Sequence, residues 1–171
     1  MAADLWRDAA LAAAFLSALA TPAVADTLTR TAPAEERRYG VGVAFEGRAG
    51  VSLYGDVDPT HFLQAAFALG EENAFLATAD FAFGYPHTAV SGLMPYWGVG
   101  LIGVHDPSHN WTHGAHSANT STNGGLRIPL GLNFLIPRTP VQLSGEIVPT
   151  AVVAPARYTY IQGGLNARVL F

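Results

Sequence analysis

From Tyr39 to the last residue the chain alternates apolar and polar positions with a period of two. That is the signature of strands with one apolar face. Eight such segments can be traced, at about 39–46, 48–56, 61–69, 74–85, 94–105, 125–136, 140–154 and 158–171. Turn chemistry separates them, as in "DVDP", "GEEN", "PHTAVSG" and "PRTP", where Gly, Pro, Asn and Asp supply the required backbone angles. No helical period of useful length survives past residue 38. The expectation is an all-β chain of eight antiparallel strands in up-and-down order.

The phase of the alternation says which side of each strand is which. In the last segment Ile161, Leu165, Ala167, Val169 and Phe171 share one face, and Gln162, Gly164, Asn166 and Arg168 the other. In 125–136, Leu126, Ile128, Leu130, Leu132, Phe134 and Ile136 alternate with Arg127, Pro129, Gly131 and Asn133. Phe75, Ala77, Ala79, Phe81 and Phe83 oppose Thr78, Asp80, Ala82 and Gly84, while Val141, Leu143 and Ile147 oppose Gln142, Ser144 and Glu146. Pro129 and Pro149 interrupt this cadence, since proline removes a ladder donor; a bulge or an early strand end is expected at each.

Composition decides what the two faces meet. The 171 residues are 50% hydrophobic and only 13% charged, with 9 basic and 13 acidic side chains. Every basic residue is arginine and there is no cysteine, which excludes disulfides and thiol chemistry. The net charge of −4 argues against a nucleic-acid partner. Asp56, Asp58, Glu71, Glu72, Asp106, Arg138 and Arg157 fall in the expected turns, whereas Glu46, Arg48, Asp80, Arg127, Glu146 and Arg168 sit on the polar phase. A soluble sheet would scatter more charge over its wet face. Glycine, alanine, serine and asparagine fill most of this one, as suits the inside of a narrow barrel whose apolar side faces lipid. A soluble lipocalin-like domain is the competing reading.

Residues 1–25 read as a secretory signal peptide: "ALAAAFLSALA" is a short apolar core, and Ala23-Val24-Ala25 is the small-x-small cleavage pattern. The polar stretch 26–38, "DTLTRTAPAEERR", reads as a periplasmic arm, followed by a barrel over 39–171. Phe171 would then be the last lipid-facing residue of the closing strand, with Arg168 turned to the interior.

On these residues, and on the cadence "GLRIPLGLNF … SGEIVPTAVVAP … GGLNARVLF", the region 39–171 resembles small bacterial outer-membrane β-barrels of the OmpA/OmpX-like type. The resemblance implies an eight-stranded transmembrane barrel in the bacterial outer membrane, in contact with lipid and lipopolysaccharide. It also implies that Val169 and Phe171 form the signal read by the outer-membrane assembly machinery, although Asn166 stands where a glycine is common. It carries location and fold further than activity.

Three constellations are candidates for chemistry. Three acids (Glu46, Asp80, Glu146) and three arginines (Arg48, Arg127, Arg168) on the polar phase form a charge-balanced lumen network, either a plug that holds the barrel together or the lining of a narrow ion pathway. The loop at 105–125, "HDPSHNWTHGAHSANTSTNGG", carries His105, His109, His113 and His116. The spacing of His109, His113 and His116 could present imidazoles to Zn²⁺, Cu²⁺ or Ni²⁺, and a plain polar surface loop is the alternative. Some barrels of this size act on lipid A, but His116 and Ser117 are adjacent where the deacylase pattern has one residue between them. The expected role is structural or surface-interacting, with no catalysis and no cofactor.

Overall fold

The computed structural model describes residues 38–70, 74–86, 88–106, 122–155 and 157–171. The signal-peptide reading and most of the arm lie outside the described residues, as does most of the histidine loop.

Among the described residues nine antiparallel strands follow one another: β1 (Tyr39–Phe45), β2 (Ala49–Asp56), β3 (His61–Leu69), β4 (Phe75–Gly84), β5 (Leu93–His105), β6 (Thr122–Arg127), β7 (Leu130–Leu135), β8 (Val141–Ala154) and β9 (Tyr158–Leu170). Each of β1 to β5 pairs with the next, β8 pairs with β9, and β9 returns to β1. Both β6 and β7 lie between β5 and β8. They are two halves of one position, so the ring has eight places and closes as an up-and-down barrel. Closure removes the open sheet edge that an eight-strand meander would otherwise leave.

Pro129 explains the split. It has no N–H to donate, and the strand is interrupted at Ile128–Pro129. The register nevertheless carries through, with Arg127 opposite Gly100 before the break and Leu130 opposite Trp97 after it. The Pro129 carbonyl still accepts from Gly98 N–H at 2.8 Å. Pro149 does not produce the expected break: β8 runs through it, and its carbonyl accepts from Ile128 N–H at 3.0 Å. The irregularity falls instead at Gly124/Gly125 against β8. The sixth strand also begins at Thr122, a few residues earlier than the periodicity suggests.

The expected phase holds on β4, β6, β7, β8 and β9. Large apolar side chains stand on the outside, among them Leu63, Leu101, Leu126, Ile147, Ile161 (72% exposed) and Leu165. Polar and charged residues are inside, with Arg127 and Arg168 at 1% and 2% exposure. Val169 keeps the outward phase but is covered, being flanked in the register by Val41 and Val141.

The interior is layered. At the end that holds both termini of the barrel, Tyr54, Phe62, Ala82, Tyr96 and Leu170 form an apolar cluster, with Met94 and Leu135 against it. Phe62 packs at 5.1 Å from the Tyr54 ring and edge-on at 5.2 Å to Tyr96. At the opposite, loop-bearing end Leu76, Ile102 and Val104 form a second cluster. Glu46, Asp80, Arg127, Glu146 and Arg168 lie between the two. Aromatic residues on the polar phase of β2, β3 and β5 are what the small-residue expectation for the interior overlooks.

Candidate functional site: the buried charge network

Arg127 is the centre of the middle layer. Its Nη1 donates to Glu46 Oε2 at 2.7 Å, and Nη2 donates to Glu146 Oε1 at 2.9 Å and to Glu46 Oε1 at 3.4 Å. Its Nε lies 3.1 Å from Asp80 Oδ1. Three carboxylates from β4, β8 and the end of β1 thus converge on one guanidinium. The planar fork of arginine, with five N–H donors, is the side chain suited to that number of acceptors.

Backbone register builds this arrangement. Asp80 on β4 and Arg127 on β6 both stand opposite Gly100 on β5. A Cβ at Gly100 would collide with Asp80 Oδ1, so the glycine leaves room for the pair to meet across the intervening strand. Gly164 does the same between the acids: a Cβ there would lie 2.9 Å from Glu146 Cγ and 3.3 Å from Glu46 Cγ.

Gln64 connects the network to the second arginine. Its Nε2 donates to Asp80 Oδ2 at 3.1 Å and to Glu146 Oε2 at 3.0 Å, while its Oε1 accepts from Arg168 Nη2 at 3.1 Å. Tyr96 donates its hydroxyl to Glu146 Oε2 at 2.6 Å, and Gln162 donates to Glu46 Oε2 at 3.2 Å. Gln64 and Tyr96 are absent from the expected set, because a neutral amide or phenol on a polar phase reads as ordinary filler.

Arg168 departs from the expected pairing. Its guanidinium donates to neutral acceptors, Ser52 Oγ at 2.7 Å, Gln142 Oε1 at 3.2 Å and Gln64 Oε1, and sits 5.4 Å from the centre of the Tyr54 ring. Arg48 lies in the turn between β1 and β2 and is half-buried. The structure therefore brings Glu46, Asp80, Arg127 and Glu146 together directly and attaches Arg168 through an amide. One residue pair along from Glu146, on β7, β8 and β9, Asn133, Ser144 and Asn166 face inward as a cross-strand row.

One expected turn acid is placed differently, and another keeps its place but is covered. Asp106 follows β5, as expected, and is buried at the loop-bearing end. Asp56 ends β2 and accepts from the Tyr54 hydroxyl at 2.5 Å. Asp58 does lie in a turn, and its carboxylate is held down to about 2 by hydrogen bonds from the Thr60 N–H and hydroxyl, with further support from His61.

His109, His113 and His116 lie outside the described residues. Among the described residues no group of three or more His, Cys, Asp or Glu side chains is arranged to hold a metal ion. At the other end of the chain, Val169 pairs with Val41, and Phe171 joins Tyr39 by backbone hydrogen bonds in both directions.

No family model and no curated protein matches the sequence. The fold is similar to that in the crystal structure of the N-terminal β-barrel domain of Pseudomonas aeruginosa OprF, with a TM-score of 0.54 and 14% sequence identity, covering 78% of this chain and 96% of that one.

Proposed function

We propose that this protein is a bacterial outer-membrane β-barrel whose lumen is closed by the Arg127 network and whose role is structural or surface-interacting rather than catalytic. The observation that carries the reading is the inversion of a soluble protein's surface. Leu63, Leu101, Ile147, Ile161 and Leu165 are exposed around the wall, while Glu46, Asp80, Arg127, Glu146 and Arg168 are buried within it. Lipid is the solvent that favours such a wall, because in water a belt of that extent marks an interface or an aggregation hazard. The likeness to the OprF barrel supports the same reading. A barrel of eight strands is just wide enough for its side chains to fill, and apolar clusters stand on both sides of the ionic layer. In this reading Val169 and Phe171 form the strand end that the assembly machinery engages.

The test is fractionation followed by gel electrophoresis with and without boiling, then planar-bilayer recording of the refolded protein. Recovery with outer membranes, a heat-dependent shift in migration and little steady conductance are expected. Recovery in the soluble periplasm without detergent overturns the membrane reading. Steady ion-selective conductance overturns the closed lumen alone and favours a narrow pore.

A further inference from the structure

On the inner wall of β7, β8 and β9, Asn133, Ser144 and Asn166 stand side by side in the register. All three are more than nine-tenths buried, at 2%, 6% and 6% exposure. Four of their polar atoms nevertheless have no hydrogen-bond partner among the described residues: Asn133 Nδ2 and Oδ1, Ser144 Oγ and Asn166 Oδ1. Native interiors leave few such groups unmet. Four on one cross-strand row make a concentrated local demand.

The row occupies the rung between two others that carry charge. One inward step toward the terminal end stand Gln142 and Arg168, and one step the other way stands Glu146, opposite Gly164. The Glu146 oxygens are already engaged by Arg127, Gln64 and Tyr96. Arg168 has donors to spare. A guanidinium carries five N–H groups, and Ser52, Gln142 and Gln64 take one each from Nε, Nη1 and Nη2. Those acceptors are all neutral, so hydrogen bonding has to carry the cost of burying this cation. Successive inward rungs are about 7 Å apart along a strand. That is too far for a direct hydrogen bond of about 3 Å, but two bonds with one small molecule between them reach across.

The unmet atoms say which molecule fits. Asn133 presents a donor and an acceptor at once. A metal cation answers only the oxygens, and a halide only the donors. Turning the amide over exchanges its two ends and satisfies neither. Water donates and accepts, and buried water typically makes about three bonds to groups of this kind. We propose that the Asn133–Ser144–Asn166 row is a site for ordered water, which carries hydrogen bonds on to the second Nη donors of Arg168. Water then ties Arg168 to the β7–β9 wall, as Gln64 ties it to the Arg127 cluster. On the β2, β3 and β5 side the same level is filled by the rings of Tyr54, Phe62 and Tyr96, so the water is confined to one wall. The apolar clusters at the two ends separate it from bulk solvent. The proposal rests on the closed ring and not on what surrounds the wall, so it stands or falls separately from the membrane reading.

The test uses the full chain refolded in detergent micelles, with water itself as the probe. NMR reads cross-relaxation from the water resonance to the side-chain amide protons of Asn133 and Asn166 and to the Nη protons of Arg168. Cross-peaks with the sign of a long-lived contact are expected at all three. Ser144→Ala removes a hydroxyl whose own exchange with solvent imitates such a signal, and the two asparagine peaks should persist in it. Asn133→Leu separates a wet row from a dry one by urea midpoint. In a dry row leucine removes two unmet polar atoms and raises the midpoint. In a wet row it takes two partners from the water and lowers the midpoint, which is the expected result. A cross-peak missing at any of the three side chains in the wild type would overturn the proposal. So would loss of the asparagine peaks in Ser144→Ala, or a midpoint raised by Asn133→Leu. The wild-type spectrum decides the matter even where the leucine variant fails to refold.

Discussion

Tyr39 and Phe171 exchange both of their backbone hydrogen bonds, Tyr39 N–H to Phe171 C=O at 3.2 Å and Phe171 N–H to Tyr39 C=O at 2.8 Å. The first residue of β1 and the residue after β9 thereby close the ring at its very foot. Deleting Phe171 removes both bonds, each contributing about 1 kcal/mol net, and exposes the start of the β1–β9 seam. Lower yield of the heat-modifiable folded band is expected from the deletion and from Phe171→Asp, with Phe171→Leu close to wild type. Equal folded yield from all three would remove any role for this closure in assembly.

Glu146 accepts from Arg127, Gln64 and Tyr96. Removing it leaves three buried donors short of an acceptor and leaves Arg127 with fewer counter-charges. Breaking a buried pair costs about 3–5 kcal/mol, whereas an exposed pair contributes about 0–1. Glu146→Ala should lower the urea midpoint of the refolded barrel far more than Arg138→Ala, in an exposed turn. Similar small losses for both would mean that the middle layer is wet.

Gln64 provides a test of coupling. It is the described side chain that bonds to Asp80, Glu146 and Arg168 together. Gln64→Ala should cost about 1–3 kcal/mol, the penalty for leaving buried polar groups unmet. In a double-mutant cycle with Glu146→Ala the two losses should fall short of additivity by about 0.5 kcal/mol or more, as for residues in one network. Strict additivity would show that Gln64 and Glu146 act independently.

The contrast between Glu146 and Gln64 marks what was legible in the sequence. Period-two phasing places every charge of the network on the inner face, because one residue of slip would invert the whole strand. It cannot say which inner residues meet across the lumen, since that depends on the summed register of eight pairings. Arg168 and Glu146 look like partners by charge, yet the register sets Gln64 between them. Tyr54, Phe62 and Tyr96 escape a polar-inside rule because the terminal end of the barrel is filled by volume rather than by polarity.

At the turn before β3, Asp58 accepts from the Thr60 and His61 backbone N–H groups and pairs with His61 Nδ1 at 2.7 Å. Its pKa is about 2 in the folded chain, below the ordinary value near 3.9 of an unfolded aspartate. The folded state therefore binds fewer protons than the unfolded one between those values. The contribution is present above the unfolded pKa and is lost as pH falls through about 2. NMR titration should show the Asp58 carboxylate still ionised at pH 3, with Thr60 and His61 amide shifts moving only below that. An ordinary titration near pH 4 would show that these bonds do not hold the turn in solution.

Neighbouring glycines Gly163 and Gly164 make the sharpest pair of substitutions, because they differ only in the face they present. A Cβ at Gly163 points outward and meets nothing nearer than Glu146 O at 4.0 Å. Gly163→Ala should be neutral, or stabilising by about 0.4–1 kcal/mol through reduced freedom of the unfolded chain. A Cβ at Gly164 points inward, 2.9 Å from Glu146 Cγ and 3.0 Å from its Oε1. Both atoms belong to a side chain whose carboxylate is already fixed by Arg127, Gln64 and Tyr96, so it cannot retreat without breaking those bonds. Gly164→Ala should therefore cost about 1–3 kcal/mol, the usual range for overpacking, and should lose most of that cost when combined with Glu146→Ala. Equal urea midpoints for the two alanine variants would mean that the carboxylate moves freely, and the tight Arg127 network would have to be abandoned.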